Sequence, residues 1–329
     1  MAAVAKSSYS WPAMLAGVVS ESFRVVSDHS RHFLALSVLF LLPLSSLLIS
    51  SPSLLPLILR HRPSHPPQSL LRSFPPSSTP DLSETLTLAA AAAVALALSA
   101  VASAAVTRSV NHGFYGRPVK LLPNLRSLHF PVLRLLATLL SAFLVFSAVV
   151  ALIASLCLLL LFVLSLLHVE SGSIPPYRFA AAIAVITVAR LQLEWCLAGV
   201  VAVMESSWGL APLKRSGELI EGMWLASICL WVFFGAGIGL TLWGFGLWDV
   251  ADVGSWYKVL PVIAKTVFGS AFTTVLLLYL LVTRAALYLY CKAVHGELPG
   301  EIVEEFASEY VTLPFDESRV PHVVSVILR

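Results

Sequence analysis

The sequence predicts an all-α membrane protein: a polytopic helical bundle of about six transmembrane helices, preceded by an interfacial helix. Of the 329 residues, 58% are hydrophobic and only 12% are charged, and the mean hydropathy is +0.87. A soluble domain carries about 25% charged residues, so this chain has too little polar surface to coat a water-soluble particle. It also contains six apolar runs of the roughly 20 residues that a helix needs to cross the hydrocarbon core.

The first 32 residues are predicted to form a cytoplasmic interfacial segment. Met14, Val18 and Phe23 recur loosely at helical spacing, with serine, arginine and aspartate among them. This spacing is typical of an amphipathic helix that lies in the membrane interface. We therefore expect one short helix ahead of the first span.

Residues 33–291 are predicted to form the transmembrane domain. The first span contains Pro43, which membrane helices tolerate where neighbouring groups satisfy the freed carbonyl. The third run has 33 residues without a charge, and at about 1.5 Å per residue it exceeds the hydrocarbon thickness. It forms either one long, tilted or protruding helix or two short re-entrant helices. The predicted spans are about 33–59, 82–106, 135–167, 179–204, 223–247 and 266–290.

A basic segment, residues 107–134, separates the second and third spans. Prolines and glycines interrupt it, so we expect it to lie on the membrane surface. Each basic residue near an anionic surface contributes roughly 1 kcal/mol of attraction, which predicts contact with anionic lipid headgroups. The same charges also suit a pure determinant of topology. The segment has no acidic residue, and its basic residues are Arg108, Arg117, Lys120, Arg126 and Arg134.

The distribution of lysine and arginine predicts the orientation. With six spans, both termini, the basic segment and residues 205–222 share one side, which holds 13 of the 21 basic residues, against five in the opposite loops. Positive charge marks the cytoplasmic side, so both termini are predicted to be cytoplasmic. The tail, residues 292–329, is cytoplasmic and acidic in its first part. The sequence fits the endomembrane system or the plasma membrane and does not indicate which organelle.

The fourth span carries the ionisable residues that stand out inside the apolar runs. In a continuous helix, Glu194 lies about 40° and Glu205 about 60° from Arg190, so the three share one face. An ionised residue near the bilayer centre costs about 2.5–3.5 kcal/mol, so this face should look into the bundle. We expect an intramembrane polar stripe of Arg190, Glu194 and Glu205, joined by Arg284 of the last span. The stripe either orients the helix or binds a charged ligand.

Enzymatic signatures are missing from the sequence. It has no HExxH, GxSxG or Walker loop, and the polar loops are too short to hold a catalytic domain. The four cysteines have no paired metal spacing, and the metal-like spacing of His61 and His65 is disrupted by Pro63. We therefore expect no catalytic residue, no metal and no cofactor. The net charge of +3 gives no nucleic-acid footprint, so nucleic acid is not expected as a partner.

One stretch resembles a known pattern. The run from Ala198 to Glu205 is followed by Gly209, by Ala211 and by the Lys-Arg-Ser triplet that ends at Ser216. This pattern resembles a family of uncharacterised plant multi-spanning membrane proteins. It is also similar, more distantly, to the membrane domain of bacterial glycerophosphodiester phosphodiesterases. The stretches from Glu21 to Leu44 and from Tyr288 to His295 fit the plant family loosely. The resemblance implies six helices and a plant origin, and it implies no activity.

Two functions follow as expectations. The first is a non-enzymatic membrane protein that binds lipid or partner proteins at its cytoplasmic face, with membrane lipids, anionic ones among them, other membrane proteins or further copies of itself as partners. The alternative is a transporter or channel that uses the polar stripe. An intramembrane enzyme is a third and weaker interpretation.

Overall fold

The computed structural model describes residues 11–60, 82–115, 127–166, 176–246 and 256–297, and within these ranges the chain is helical with no strand. Six helical stretches of the described chain are long and apolar enough to cross a membrane, which confirms the predicted fold class. The protein is therefore a multi-pass membrane protein. The six stretches are Ser30–Ser51, Thr85–Phe114, His129–Leu159, Ala181–Met204, Trp224–Phe245 and Ile263–Val294.

The helices that build these spans are numbered in chain order. The N-terminal helix α1 (Trp11–Asp28) precedes α2 (Ser30–Leu36), which continues through a π-helical turn into α3. The short helix α7 forms the second part of the fourth span, and the short helix α8 lies between the fourth and fifth spans. The remaining bounds are α3 Leu42–Arg60, α4 Leu82–Phe114, α5 His129–Leu166, α6 Pro176–Glu194, α7 Ala198–Met204, α8 Ala211–Ile220, α9 Trp224–Gly246 and α10 Trp256–Val294.

The N-terminal helix α1 is formed as predicted, and it packs on the bundle. Val18 and Val25 are buried, and the ring of Phe23 lies 4.8 Å from that of Tyr279 on α10. A Cβ on Gly17 would meet the Tyr290 hydroxyl at 3.0 Å, so a small residue is needed for this approach. The buried face of α1 therefore covers α9 and α10.

The first span stays continuous through its proline. Pro43 has no amide hydrogen, and its ring clashes with the carbonyl group four residues earlier, at Leu39. The π-helical turn Ser37–Leu41 lies directly before the proline. A π-turn widens the helix locally, and this accommodates Pro43 without ending the span.

The third span is one long helix, which decides between the two alternatives left open by the sequence. Its 38 residues extend for about 57 Å at 1.5 Å per residue, and no glycine or proline interrupts them after Pro131. It packs against α4, α6, α7 and α8. Most of its apolar side chains face outward, as expected for a helix surrounded by lipid.

The basic segment 107–134 differs from its prediction. Residues 107–114 continue α4, and residues 129–134 already belong to α5. Long basic side chains extend from a helix end toward water while their stems stay on apolar surface, so Arg108 and Arg134 do not end their helices. The prediction of a surface segment over this whole range was wrong at both ends. Arg117, Lys120 and Arg126 lie outside the described residues.

The predicted fourth span is not one helix. It breaks after Glu194, turns through Trp195, Cys196 and Leu197, and resumes as α7. Ser206 then adopts a positive φ of 56°, a conformation that L-residues rarely take. This ends α7 and sends the chain into α8, which packs back against α7.

Helix α10 is the central element of the bundle. It packs against α1, α3, α4 and α9, and the largest fully buried side chain of the described chain is its Tyr288. The ends of α4, α7 and α10 meet the beginning of α5 at one end of the bundle, which we call the Glu205 end. The candidate sites lie at or near this end.

Candidate functional site

A buried serine completes the break in the fourth span. The Ser216 hydroxyl on α8 donates a 2.6 Å hydrogen bond to the Glu194 carbonyl oxygen and accepts one of 3.2 Å from the Leu197 amide. Ser216 is fully buried. A helix break leaves main-chain groups without intrahelical partners, and in a lipid environment each such group is costly. One side chain from α8 therefore satisfies both sides of the break.

Glu205 accepts contacts from two other helices. Its Oε1 accepts a 3.0 Å hydrogen bond from the Tyr288 hydroxyl and lies 3.7 Å from Nζ of Lys292, both on α10. The same oxygen lies 3.6 Å from Nε of Arg215 on α8. The Lys292 side chain is only 5% exposed, and its ammonium lies 5.3 Å from the Tyr288 ring centroid. Glu205 thus neutralises a buried lysine and ties α7 to α8 and α10.

Arg215 extends this charged cluster to the beginning of the C-terminal tail. It forms a hydrogen-bonded ion pair with Glu297 and lies 3.7 Å from Glu218. The hydrogen bond to Glu297, and after it the charge of Glu205, raises the pKa of the Arg215 guanidinium. A raised pKa stabilises the fold below the unfolded-state pKa, and this is lost only as the pH rises through the folded-state value. Arg215 therefore stays charged at any pH used to handle the protein.

The predicted polar stripe is not formed as one face. Arg190 and Glu194 do pair, with Nε and Oε1 3.0 Å apart, but their side chains are 81% and 43% exposed and face outward. The common face predicted for Glu205 assumed a continuous helix, and the break at 195–197 turns that residue toward α10. Arg284 lies apart from both groups, inside the bundle.

Arg284 lines a cavity inside the bundle. This cavity of about 520 Å³ lies between α3, α4, α5, α7 and α10, and Cys196 and Trp195 at the break form part of its wall. A second, small cavity of about 20 Å³ lies beside it, and Arg284 and Cys196 line that one too. No carboxylate of the described residues pairs with the Arg284 guanidinium, and no described residue hydrogen-bonds to it.

A separate polar pocket lies at the Glu205 end. It has a volume of about 350 Å³ and contains two of the five predicted lipid-contact residues, Arg108 and Arg134. Nη1 of Arg108 donates to the hydroxyl and carbonyl oxygens of Ser127, at 2.8 and 3.2 Å. The Arg134 side chain has no such partner among the described residues. The remaining lining residues are Asn111, His112, Ser127, Pro131, Val203, Met204 and Ser206.

Glu205 is the acidic residue nearest this pocket in the sequence, and its carboxylate points away from the pocket. Glu205 lies between two pocket residues in sequence, but its carboxylate points to the α10 cluster. The chain turns at Ser206, which has a left-handed conformation, so Ser206 lines the pocket whereas the Glu205 carboxylate points to α10. The pocket therefore keeps two arginines with no acidic residue in its described lining.

The sequence missed several residues of these sites. Ser216, Arg215 and Lys292 were not predicted as site residues, although the first two fall in the 198–219 stretch that carried the family resemblance. A serine beside a Lys-Arg pair in an otherwise amphipathic helix is the signal that was available. No group of three or more potential metal ligands lies in the part of the chain that the structure describes.

The chain matches the family described as Domain of unknown function (DUF8558) over residues 13–316. The protein belongs to the DUF8558 family. The match covers all but the first two residues of α1, all six spans and the candidate sites. No curated protein matches the chain, and no solved structure does. The plant origin and the distant likeness to the phosphodiesterase membrane domain stay predictions.

Proposed function

We propose that this DUF8558 protein is a non-enzymatic membrane protein that binds anionic lipid headgroups at the Glu205 end of the bundle. By the positive-inside rule this end is cytoplasmic. The observation that carries the proposal is the polar pocket, where Arg108 and Arg134 converge with no acidic residue in the described lining. Guanidinium groups bind phosphate through paired, charge-assisted hydrogen bonds.

The position of the pocket suits a phospholipid. Arg108 belongs to the last two turns of α4 and Arg134 to the first two turns of α5, so both side chains lie where a spanning helix meets the headgroup layer. Basic pockets between transmembrane helices at the cytoplasmic side are a known form of headgroup site. Arg117, Lys120 and Arg126 lie in sequence between these two helices.

The test compares lipid binding by two charge-matched double variants. Arg108→Gln/Arg134→Gln removes the pocket charges. Arg31→Gln/Lys214→Gln removes two exposed basic residues elsewhere on the predicted cytoplasmic side. At roughly 1 kcal/mol per basic residue, the pocket variant should bind phosphatidylglycerol or phosphatidylserine in nanodiscs about 30-fold more weakly, with phosphatidylcholine binding unchanged. Equal binding by both variants would reject the proposal.

A single variant guards against a folding artefact. Arg108 also holds Ser127, so its loss can disturb the connection between α4 and α5. Arg134→Gln alone breaks no described contact of that side chain and should weaken binding about fivefold, with an unchanged melting temperature. Proteins that co-purify equally with all variants would instead indicate that the cytoplasmic face binds partner proteins.

Transport is a second candidate, and one observation favours it. Discontinuous spanning helices are a hallmark of secondary transporters, and the fourth span is discontinuous at the wall of the 520 Å³ cavity. In that function the Arg190–Glu194 pair, which lies next to the break, would bind the cargo. Neutralising both residues should abolish flux in proteoliposomes while the melting temperature is kept. Retained flux would reject transport through this pair.

A further inference from the structure

We infer that the cavity around Arg284 binds the anionic head of an amphiphile taken from the bilayer, with Arg284 as its cationic partner. The inference does not depend on the proposed function, because the cavity and the polar pocket at Arg108 share no lining residue. Its volume of about 520 Å³ lies within the range of small-molecule sites.

The charge of Arg284 has no counterpart in the described protein. Ionised residues within spanning helices almost always pair with one another or face a wet or occupied site. The described bundle follows this rule at Lys292, which has Glu205 at 3.7 Å. Two turns earlier on the same helix, Arg284 has no described carboxylate or hydrogen-bond partner. The anionic group of a ligand would supply the missing partner of the Arg284 guanidinium.

Arg284 is the one charged side chain among the described residues that line the cavity. Three hydroxyl groups of the lining already donate to carbonyl oxygens of their own helices: Ser99 to Leu96, Ser103 to Ser99, and Thr138 to Arg134. A hydroxyl that donates elsewhere offers an anion only its lone pairs. The five N–H donors of a guanidinium instead match the oxygens of a carboxylate or a phosphate.

The rest of the cavity suits an acyl chain and an approach through lipid. Leu41, Leu44, Leu277 and Leu281 line it, together with Phe146. Other lining residues belong to the outer surface of α5, where Leu139 is 38% and Phe143 66% exposed. The cavity is thus partly open on the side that faces lipid. A ligand that arrives from the bilayer carries an apolar chain, which separates it from a water-soluble anion.

The test uses defined probes on protein reconstituted in phosphatidylcholine nanodiscs. Wild type should bind oleate and lysophosphatidate, and bind oleyl alcohol and inorganic phosphate at least tenfold more weakly. Arg284→Gln should bind the two anionic amphiphiles about tenfold to hundredfold more weakly, the usual range for a hydrogen bond to a charged group, and oleyl alcohol unchanged. Arg284→Lys should keep part of the affinity. Arg31→Gln, an exposed arginine outside the cavity, is the matched control.

A steric variant protects the test from misfolding of the arginine variants. Ala142→Phe fills the cavity from α5 without touching the charge, and it should weaken oleate, lysophosphatidate and oleyl alcohol together. Whichever of oleate and lysophosphatidate binds more tightly identifies a carboxylate or a phosphate head. Wild type that binds neither, Arg284→Gln that binds both unchanged, or inorganic phosphate that binds as tightly as lysophosphatidate would each overturn the inference.

Discussion

Ser216 and Glu194 are 22 residues apart in sequence, and the hydroxyl of the first donates to the main-chain carbonyl of the second at 2.6 Å. Since the same hydroxyl accepts from the Leu197 amide, the broken fourth span and the short helix α8 form one structural unit. Any movement of α8 must break these bonds or carry the break with it. The unit also forms part of the wall of the Arg284 cavity, because Leu213 on α8 lines it.

Replacing Ser216 with alanine should destabilise the protein. The substitution leaves a main-chain carbonyl and an amide without partners, at a cost of about 1–3 kcal/mol. Thermal unfolding in a mild detergent should show a clearly lower melting temperature. Ser147→Ala is the control, because Ser147 is exposed on α5 and bonds only within its own helix. Equal melting temperatures for the two variants would mean that the break finds other partners.

Removing the charge of Glu205 should destabilise the bundle more than removing that of Glu194. Glu205→Gln leaves the buried ammonium of Lys292 without its carboxylate, for which we expect a loss of about 1–3 kcal/mol. Glu194→Gln removes an exposed pair with Arg190, and exposed pairs contribute only about 0–1 kcal/mol. Melting temperatures of the two variants decide the order.

A double-mutant cycle separates the contacts of Glu205. Tyr288→Phe removes the hydroxyl that donates to Glu205, and Glu205→Ala removes the oxygen that accepts, so these two substitutions should be non-additive by about 0.5–3 kcal/mol, as for residues in direct contact. Additive losses would show that the hydrogen bond contributes nothing to the stability of this end of the bundle.

The spans could be predicted from the sequence because a membrane helix satisfies all its main-chain groups within one apolar run. The ends of the runs were harder. Arg108 and Arg134 lie inside α4 and α5, because a basic side chain near a helix end can reach polar surroundings without ending the helix. A basic residue at the end of an apolar run therefore indicates where the headgroup layer begins, but it does not indicate where the helix ends.

The break at 195–197 could not be read from its own residues. Trp195, Cys196 and Leu197 carry no glycine or proline signal, and the group that stabilises the break, Ser216, comes from another helix. The isolation of Arg284 was equally hidden, because it depends on which side chains the neighbouring helices place around it. Local patterns thus predicted which spans carry charged residues, but not which of these residues face the bundle or find a partner there.

Two glycines should respond differently to alanine. A Cβ on Gly269 of α10 would meet Cδ1 of Ile49 at 2.9 Å and Cγ of Phe245 at 3.1 Å, whereas one on Gly235 of α9 would meet no described atom within 4 Å. Alanine in place of an unpacked helical glycine gains up to about 1 kcal/mol, and overpacking costs about 1–3 kcal/mol. Gly235→Ala should therefore melt at the same or a higher temperature than wild type, and Gly269→Ala lower. A destabilised Gly235→Ala would instead indicate a contact with another molecule at that face.

The predicted orientation can be tested by protease protection in sealed microsomes. Six spans place both termini on one side, and the 13-to-5 distribution of basic residues predicts that this side is the cytoplasm. Epitope tags at either terminus should be digested without detergent, whereas a tag inserted within residues 61–81 should be digested only after detergent is added. The reverse pattern would invert the topology and place the Arg108–Arg134 pocket on the lumenal face, where few anionic lipids are expected. Termini on opposite sides would instead show that one of the six apolar helices does not cross, and the exposed α5 would be the first to re-examine.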